Sequence, residues 1–286
     1  MTKTGRTLSM VDVTDLIEDN AIRVADAAAL AAGVVVRELS ELSDLDGVYR
    51  LYDEIWRPDP ANPPVTTELL RAMTKAGNYV SGAFEGDRLV GACVGFFGTP
   101  PDVRLHSHVA GVSAPAMGRS VGFALKLHQR AWAISRGITA IEWTFDPLVS
   151  RNAYFNLSKL GAAPVEYLPN FYGGMRDRIN GEDESDRLLV LWDLRSTGTT
   201  ARDDRQAVIA LDRSPAGLPV MGTVDGPELL VATPHDIESL RTADPGGARQ
   251  WRLAMREVLG TLVAEGARVT GFDRAGWYRV TREAGR

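Results

Sequence analysis

Residues 79–98 read YVSGAFEGDRLVGACVGFFG, two apolar runs folded about the turn EGDR. Such a pattern is an antiparallel hairpin, and it constrains the fold more than any other stretch. A further strand pattern, VRLHSHVAGVSA (103–114), follows it directly. Only then comes a glycine-bearing helix start, SAPAMGRSVGFALKLHQRAWAISRG (113–137). Three strands ahead of that start argue against the doubly wound nucleotide fold, which needs strand–helix–strand crossovers. The expectation is an α/β (α+β) chain whose mixed, mainly antiparallel sheet is flanked by helices.

The surrounding pattern fills in the order. Residues 1–32 read as a polar lead-in and an Ala-rich helix, and GVVVREL (33–39) as a strand. Leu45, Val48, Tyr52 and Ile55 fall at helical spacing in 43–56, with Ser43 as N-cap. The four prolines of RPDPANPP (57–64) require a loop, and TTELLRAMTKAG gives a second helix closed by Gly77. After the 113–137 segment come a strand, ITAIEWTF (138–145), a helix, SRNAYFNLSKLG (150–161), and closing strands near PVEYLPNFY and RLLVLWDL.

The polar stretch beyond residue 195 marks a domain boundary. The expected organisation is an N-terminal extension at 1–32, a first domain at 33–195, a linker at 196–206 and a smaller C-terminal α/β domain at 207–286. There, LLVATPHDIESLR reads as a strand and then a helix with Thr233 as cap and Pro234 in its first turn. Asp244-Pro245 repeats the signal for a longer helix through WRLAMREVLGTLVAEG, and ARVTGFDRAGWYRV supplies one or two final strands.

Composition narrows the partners. A formal charge of −5 with no dense Lys/Arg cluster argues against nucleic acid. Cys93, the single cysteine of 286 residues, excludes an internal disulfide and any multi-cysteine metal site. The most apolar N-terminal stretch carries Arg23 and Asp26, which fits neither an export signal nor a membrane span. The expected location is the cytoplasm, with no membrane partner.

The helix start carries the chemistry. A first helical turn leaves backbone N–H groups unpaired, and the helix dipole favours an anion there. Gly118 and Gly122 clear the approach for phosphate oxygens, Ala124 keeps the next contact small, and Arg119 adds charge. Val121, Leu125, His128 and Trp132 form the stripe that packs. The packing stripe does not account for the glycines, since glycine there costs stability relative to alanine.

Arg119-x-x-Gly122-x-Ala124, between a strand and its following helix, resembles the key motif of the GNAT superfamily of acyl-CoA-dependent N-acyltransferases. The resemblance covers about residues 33–195, and is nearest to a bacterial group with an added C-terminal region. It implies coenzyme A, as acetyl-CoA or succinyl-CoA, with the pyrophosphate over Gly118, Arg119, Ser120, Val121, Gly122, Phe123 and Ala124. The pantetheine arm would pair with the strand edge at Val112–Ala114. A second family motif resembles RNAYFNLSKLGAA, through Asn152, Ala153, Lys159 and Gly161. Leu157 stands where that motif places a tyrosine that protonates the departing thiolate, and Tyr154, one turn earlier, is the nearest substitute.

The implied reaction is direct attack of an amine on a thioester through a tetrahedral intermediate, with no metal and no covalent enzyme intermediate. A base must deprotonate the amine, and a backbone N–H near Val112 would hold the oxyanion. Base candidates are His106, His108, Glu142 and Asp146, with His108 and Asp146 preferred as nearer the thioester. His-x-His lacks a third spacing for a metal. The acceptor would be a small-molecule amine such as an amino acid, lined by Trp56, Arg57 and the proline loop. Arg176, Arg178 and Arg187 could bind a carboxylate, or be balanced by Asp177, Glu182 and Asp186. Trp251, Arg252 and Arg256 could face a cleft or anchor their helix. A homodimer stays open, and the alternative to transfer is a non-catalytic acyl-CoA-sensing module.

Overall fold

The computed structural model describes residues 10–60, 62–99, 103–175, 177, 179–181, 183–195 and 207–282. They gather into two compact units, Met1–Arg57 with Ala61–Ile141, and Pro58–Pro60 with Glu142–Arg286. The expected linker at 196–206, and Arg176, Arg178 and Glu182, lie outside the described residues.

The first unit opens with α1 (Met10–Ala32), β1 (Val35–Glu38), α2 (Leu42–Trp56) and α3 (Thr67–Lys75). The hairpin strands β2 (Tyr79–Glu85) and β3 (Arg88–Phe97) turn at 86–87 as the sequence requires, and β4 (Leu105–Val112) follows. All neighbours in the order β1-β2-β3-β4 are antiparallel. Helix α4 (Val121–Ile134) packs along α1 and across β2 and β3. Leu45, Val48 and Tyr52 from α2, with Leu70, Val80 and Val94, close the core against α2 and α3. Burial of such side chains is worth roughly 1.5–3 kcal/mol each. Gly111 on β4 is fixed by this packing, because a Cβ there would stand 2.7 Å from the Trp56 ring.

In the second unit β5 (Ala140–Phe145), which begins in the last residues of the first, leads into a short helix, α5 (Ser150–Ala153). A π-helical turn at Tyr154–Lys159 continues it. Strands β6 (Ala163–Leu168) and β7 (Arg187–Asp193) are antiparallel, in the order β5-β7-β6. The C-terminal sheet holds β8 (Val208–Arg213), β9 (Pro219–Met221), β10 (Glu228–Ala232), β11 (Arg268–Phe272) and β12 (Trp277–Thr281). Its order is β11-β12-β10-β8-β9, antiparallel except for β10 with β8. Helices α6 (Ile237–Ala243), α7 (Pro245–Met255) and α8 (Thr261–Ala264) accompany it. The class is thus the mixed, mainly antiparallel α/β fold that the hairpin demanded, with a second, smaller sheet.

Two caps differ from expectation. Helix α2 starts at Leu42, so Ser43 lies inside the first turn, and Glu41 takes the cap position without a side-chain bond. Helix α6 is capped by Asp236, which accepts from the N–H groups of Glu238 and Ser239. Thr233 is used elsewhere: its hydroxyl is bonded to Ser150 and to the Gly276 carbonyl. Asp244-Pro245 works as read, the Asp244 side chain accepting from Gly247 N–H. Among the described residues no helix is long and apolar enough to cross a membrane.

Candidate active site

The glycine-bearing turn is unusual in its backbone. Strand β4 ends at Val112, and the chain crosses a short 3₁₀ turn at Ala114–Ala116 before reaching α4. Gly118 has φ 77° and Ser120 φ 66°. Gly118 is suited to that region, whereas a non-glycine residue there stores strain. Ser120 occupies the N-cap of α4, yet its side chain makes no capping bond. The helix's first bonds run from the N–H groups of Phe123 and Ala124 to the Ser120 carbonyl. The donors ahead of them belong to the unpaired first turn.

Gly122 is the informative glycine. A Cβ built there would meet only Val112 Cγ2, at 3.7 Å, which is ordinary contact. Packing therefore does not demand glycine at this position, although glycine in a helix costs roughly 0.5–1 kcal/mol relative to alanine. The space it clears lies beside Val112. Ala124 and Val121 are buried, while Phe123 is half-buried.

Arg119 is turned away from a purely ligand-facing role. It ion-pairs with Glu85 at 2.9 Å and reaches the Ala32 carbonyl at 3.4 Å. At the other expected end, Ala114 opens the 3₁₀ turn, so the extended edge stops at Val112, and Ser113 N–H is bonded to the Val90 carbonyl.

A bulge breaks the alternation of β4 at His108, since Val94 pairs with Val109 but Gly95 with Ser107. Ser107 meets Lys126 and Cys93, Gly111 meets Trp56, and Val112 lies beside Gly122. His106 stacks on Phe96 with ring centroids 5.0 Å apart, and His108 lies 5.7 Å from the same ring. Desolvation, then the neighbouring His106, hold the His108 imidazole below its usual range, while a hydrogen bond to the Pro64 carbonyl opposes them. The ring is therefore neutral at pH 7, the form in which it can accept a proton. Concavity also occurs elsewhere in this unit, in a cleft of about 190 Å³ lined by Asp26, Glu38, His128 and Trp132. Trp132 Nε1 there donates to Glu38 at 2.8 Å, and Tyr79 OH is bonded to His128 at 2.8 Å.

The other expected residues belong to the second unit. Asp146 is buried and held by Arg252 through two bonds of 2.8 and 2.9 Å, with Arg241 at 2.5 Å. Those guanidinium groups overcome its desolvation and hold its carboxyl far below the usual carboxylate range. Such a carboxylate is a poor base, and the geometry gives it a structural charge to carry. Tyr154 begins the π-helical turn and accepts a bond of 3.0 Å from Arg274 Nε. Asn152 is half-buried two residues before it. Arg252 and Arg256 anchor α7, Arg252 to Asp146 and Asp183, Arg256 to Asp186 and Glu184.

Two groupings were not expected from the sequence. Lys126 is buried, donating to Ser107 Oγ at 2.7 Å and Gln129 Oε1 at 3.3 Å, beside Cys93. Its spacing from Gln129 is helical, but nothing in the pattern ties it to β4. Arg241 joins Asp183 and Asp146, which lie 58 and 95 residues from it along the chain.

No family model matches the chain, and no curated relative matches it. Solved structures with partial backbone similarity include the ribosomal-protein-S18-alanine N-acetyltransferase from Escherichia coli, 14% identical, with a TM-score of 0.44. That match covers 59% of this chain and 99% of the other. An N-acetyltransferase from Staphylococcus aureus Mu50 is 18% identical, covering 57% and 99%, with a TM-score of 0.44. Arabidopsis thaliana Naa50, in complex with the bisubstrate analogue CoA-Ac-MVNAL, is 18% identical, covering 56% and 97%, with a TM-score of 0.45.

Proposed function

We propose that the chain is an acyl-CoA-dependent N-acyltransferase of the GNAT type, moving an acetyl or succinyl group to the amine of a small metabolite. One observation carries this reading: the start of α4 is left open and uncapped, with glycine at a position where packing would accept a side chain. A pyrophosphate satisfies that arrangement, because it needs both the orphan N–H groups and a close backbone approach. The residues that would hold it are Gly118, Ser120, Val121, Gly122, Phe123 and Ala124, with Arg119 beside them on Glu85. Val112, at the end of β4, would meet the pantetheine arm.

Bound there, the coenzyme supplies an activated acyl thioester. The chain's part is then to orient and to move protons. The neutral imidazole of His108 is the proton acceptor for the attacking amine. It stands four strand residues from Val112, roughly 13 Å at the usual rise, so the proton of the attacking nitrogen reaches it through water. Protonation of the leaving thiolate is assigned, on the family resemblance alone, to Tyr154. The acceptor-side residues of the resemblance are Trp56 and Arg57.

The competing reading is a module that binds acyl-CoA without transfer. Release of free thiol from acetyl-CoA and succinyl-CoA across a panel of amines separates the two. Transfer predicts amine-dependent release that drops at least tenfold in His108→Ala and, in the wild type, persists down through the ordinary imidazole range and declines only below it. Binding without amine-dependent release would leave the sensing module.

A further inference from the structure

The second unit holds a buried cation whose partners are weaker acceptors than a guanidinium ordinarily finds. Arg187, Arg241 and Arg252 converge on the carboxylates of Asp146 and Asp183. Arg241 reaches them at 2.5 and 3.1 Å, and Arg252 reaches each at 2.8 Å. Among the described residues Arg187 reaches a carboxylate only at Asp146, 4.0 Å away, although its side chain is 8% exposed. Its hydrogen bonds go to the Asp186 backbone carbonyl at 2.9 Å, to Asn180 Oδ1 at 3.4 Å and to the Met175 sulfur. The Asp186 carboxylate is itself taken by Arg256, Tyr167 and the Asn170 N–H.

Among the described residues the wider cluster balances in charge, with Arg187, Arg241, Arg252 and Arg256 against Asp146, Asp183, Asp186 and Glu184, but Arg187 is the guanidinium that meets no carboxylate nearer than 4.0 Å. Burial is the largest influence on Arg187 and disfavours its charge, with Arg252 and Arg241 acting in the same sense. A thioether and an amide oxygen offer such a group little. At the rim, the Tyr172 ring centroid lies 5.4 Å from the Arg187 guanidinium carbon, and Tyr172 OH is bonded to Thr144 Oγ1 at 3.1 Å. Two hydroxyls sharing one bond keep one O–H free to donate. Tyr172 is 40% exposed and Phe171 49%, so the rim is open to solvent.

We propose that Arg187, with the hydroxyls of Thr144 and Tyr172, forms a binding site for the carboxylate of a small molecule. Displacing the Met175 thioether would let a carboxylate face the guanidinium, the pairing for which its fork is shaped. A carboxylate brings one negative charge into a cluster that already holds Asp146 and Asp186, where a dianionic phosphate would bring two. The inference rests on the second unit alone, and stands or falls separately from the transfer reading.

The test is calorimetry and ligand-observed NMR on the full chain with acetate, propionate and phenylacetate, each beside its amide, and with inorganic phosphate. At least one carboxylate should bind tenfold more tightly than its amide, and more tightly than phosphate. Arg187→Gln should weaken that carboxylate at least tenfold. Should Arg187→Gln fail to fold, the double variant Thr144→Val with Tyr172→Phe decides, with a threefold loss expected. Equal binding of acid and amide, tighter binding of phosphate, or unchanged affinity in the deciding variant would overturn the site.

Discussion

The two units each bury charged side chains, and they treat them in opposite ways. In the first, Lys126 is buried among a hydroxyl, an amide and a thiol. Cys93 stays a thiol because burial raises its pKa, so none of these three neighbours carries a full negative charge. Desolvation wins, and the Lys126 amine is lowered to about 8. In the second, Asp146 is equally buried, yet Arg252, Arg241 and Arg187 outweigh desolvation and keep it ionised. Burial by itself therefore sets no charge state. The sign and reach of the partners decide it.

The largest expected effect tests the paired side. Asp146→Asn leaves Arg252 and Arg241 without their main counter-charge in the interior, and should cost about 3–5 kcal/mol, read by denaturant unfolding. A loss below about 1 kcal/mol would mean that Asp183 alone suffices, and the contrast between the units would collapse.

The next effect tests the Lys126 side through pH. The folded-state pKa of Lys126 lies below its unfolded value, so the unfolded chain binds more protons between about pH 8 and 10.5. Stability should therefore rise with pH across that window, by roughly 3 kcal/mol if the lowered value holds throughout. Lys126→Met should remove the rise. A slope that survives in the variant would place the titration on another group.

The smallest effect sharpens the comparison by asking whether the units differ in anything but buried charge. Thr66 caps α3 and Asp244 caps α7, each through a side-chain oxygen on a first-turn N–H. Thr66→Ala and Asp244→Ala should each cost about 1 kcal/mol. Unequal losses beyond a factor of two would show that the units also differ in local stability.

What the sequence made legible follows the range of the interactions. The EGDR turn, the closing Gly77 and the Asp244-Pro245 start act within a few residues, and each appears where the pattern put it. Thr233 and Asp236 are both competent caps, and the choice fell to Asp236 because Thr233 is drawn to Ser150 and Gly276, partners 83 and 43 residues away. The three-residue run of β9 offered too few residues to stand out. The glycines at the start of α4 were legible, but the left-handed backbone of Ser120 was not, since no composition signal marks it. Asp146 read as an open base because its strand position is visible and Arg252, 106 residues later, is not tied to it by any spacing.

The most direct measurement is isothermal titration of CoA, acetyl-CoA, succinyl-CoA and ATP into the wild type and Gly122→Trp. A side chain at 122 enters open space beside Val112, so the variant should fold and fill the cradle. The account predicts micromolar binding of the CoA species, absent for ATP and lost in the variant. Absence of CoA binding to the wild type, or equal binding to Gly122→Trp, would contradict it and reduce the open end of α4 to an uncapped helix start.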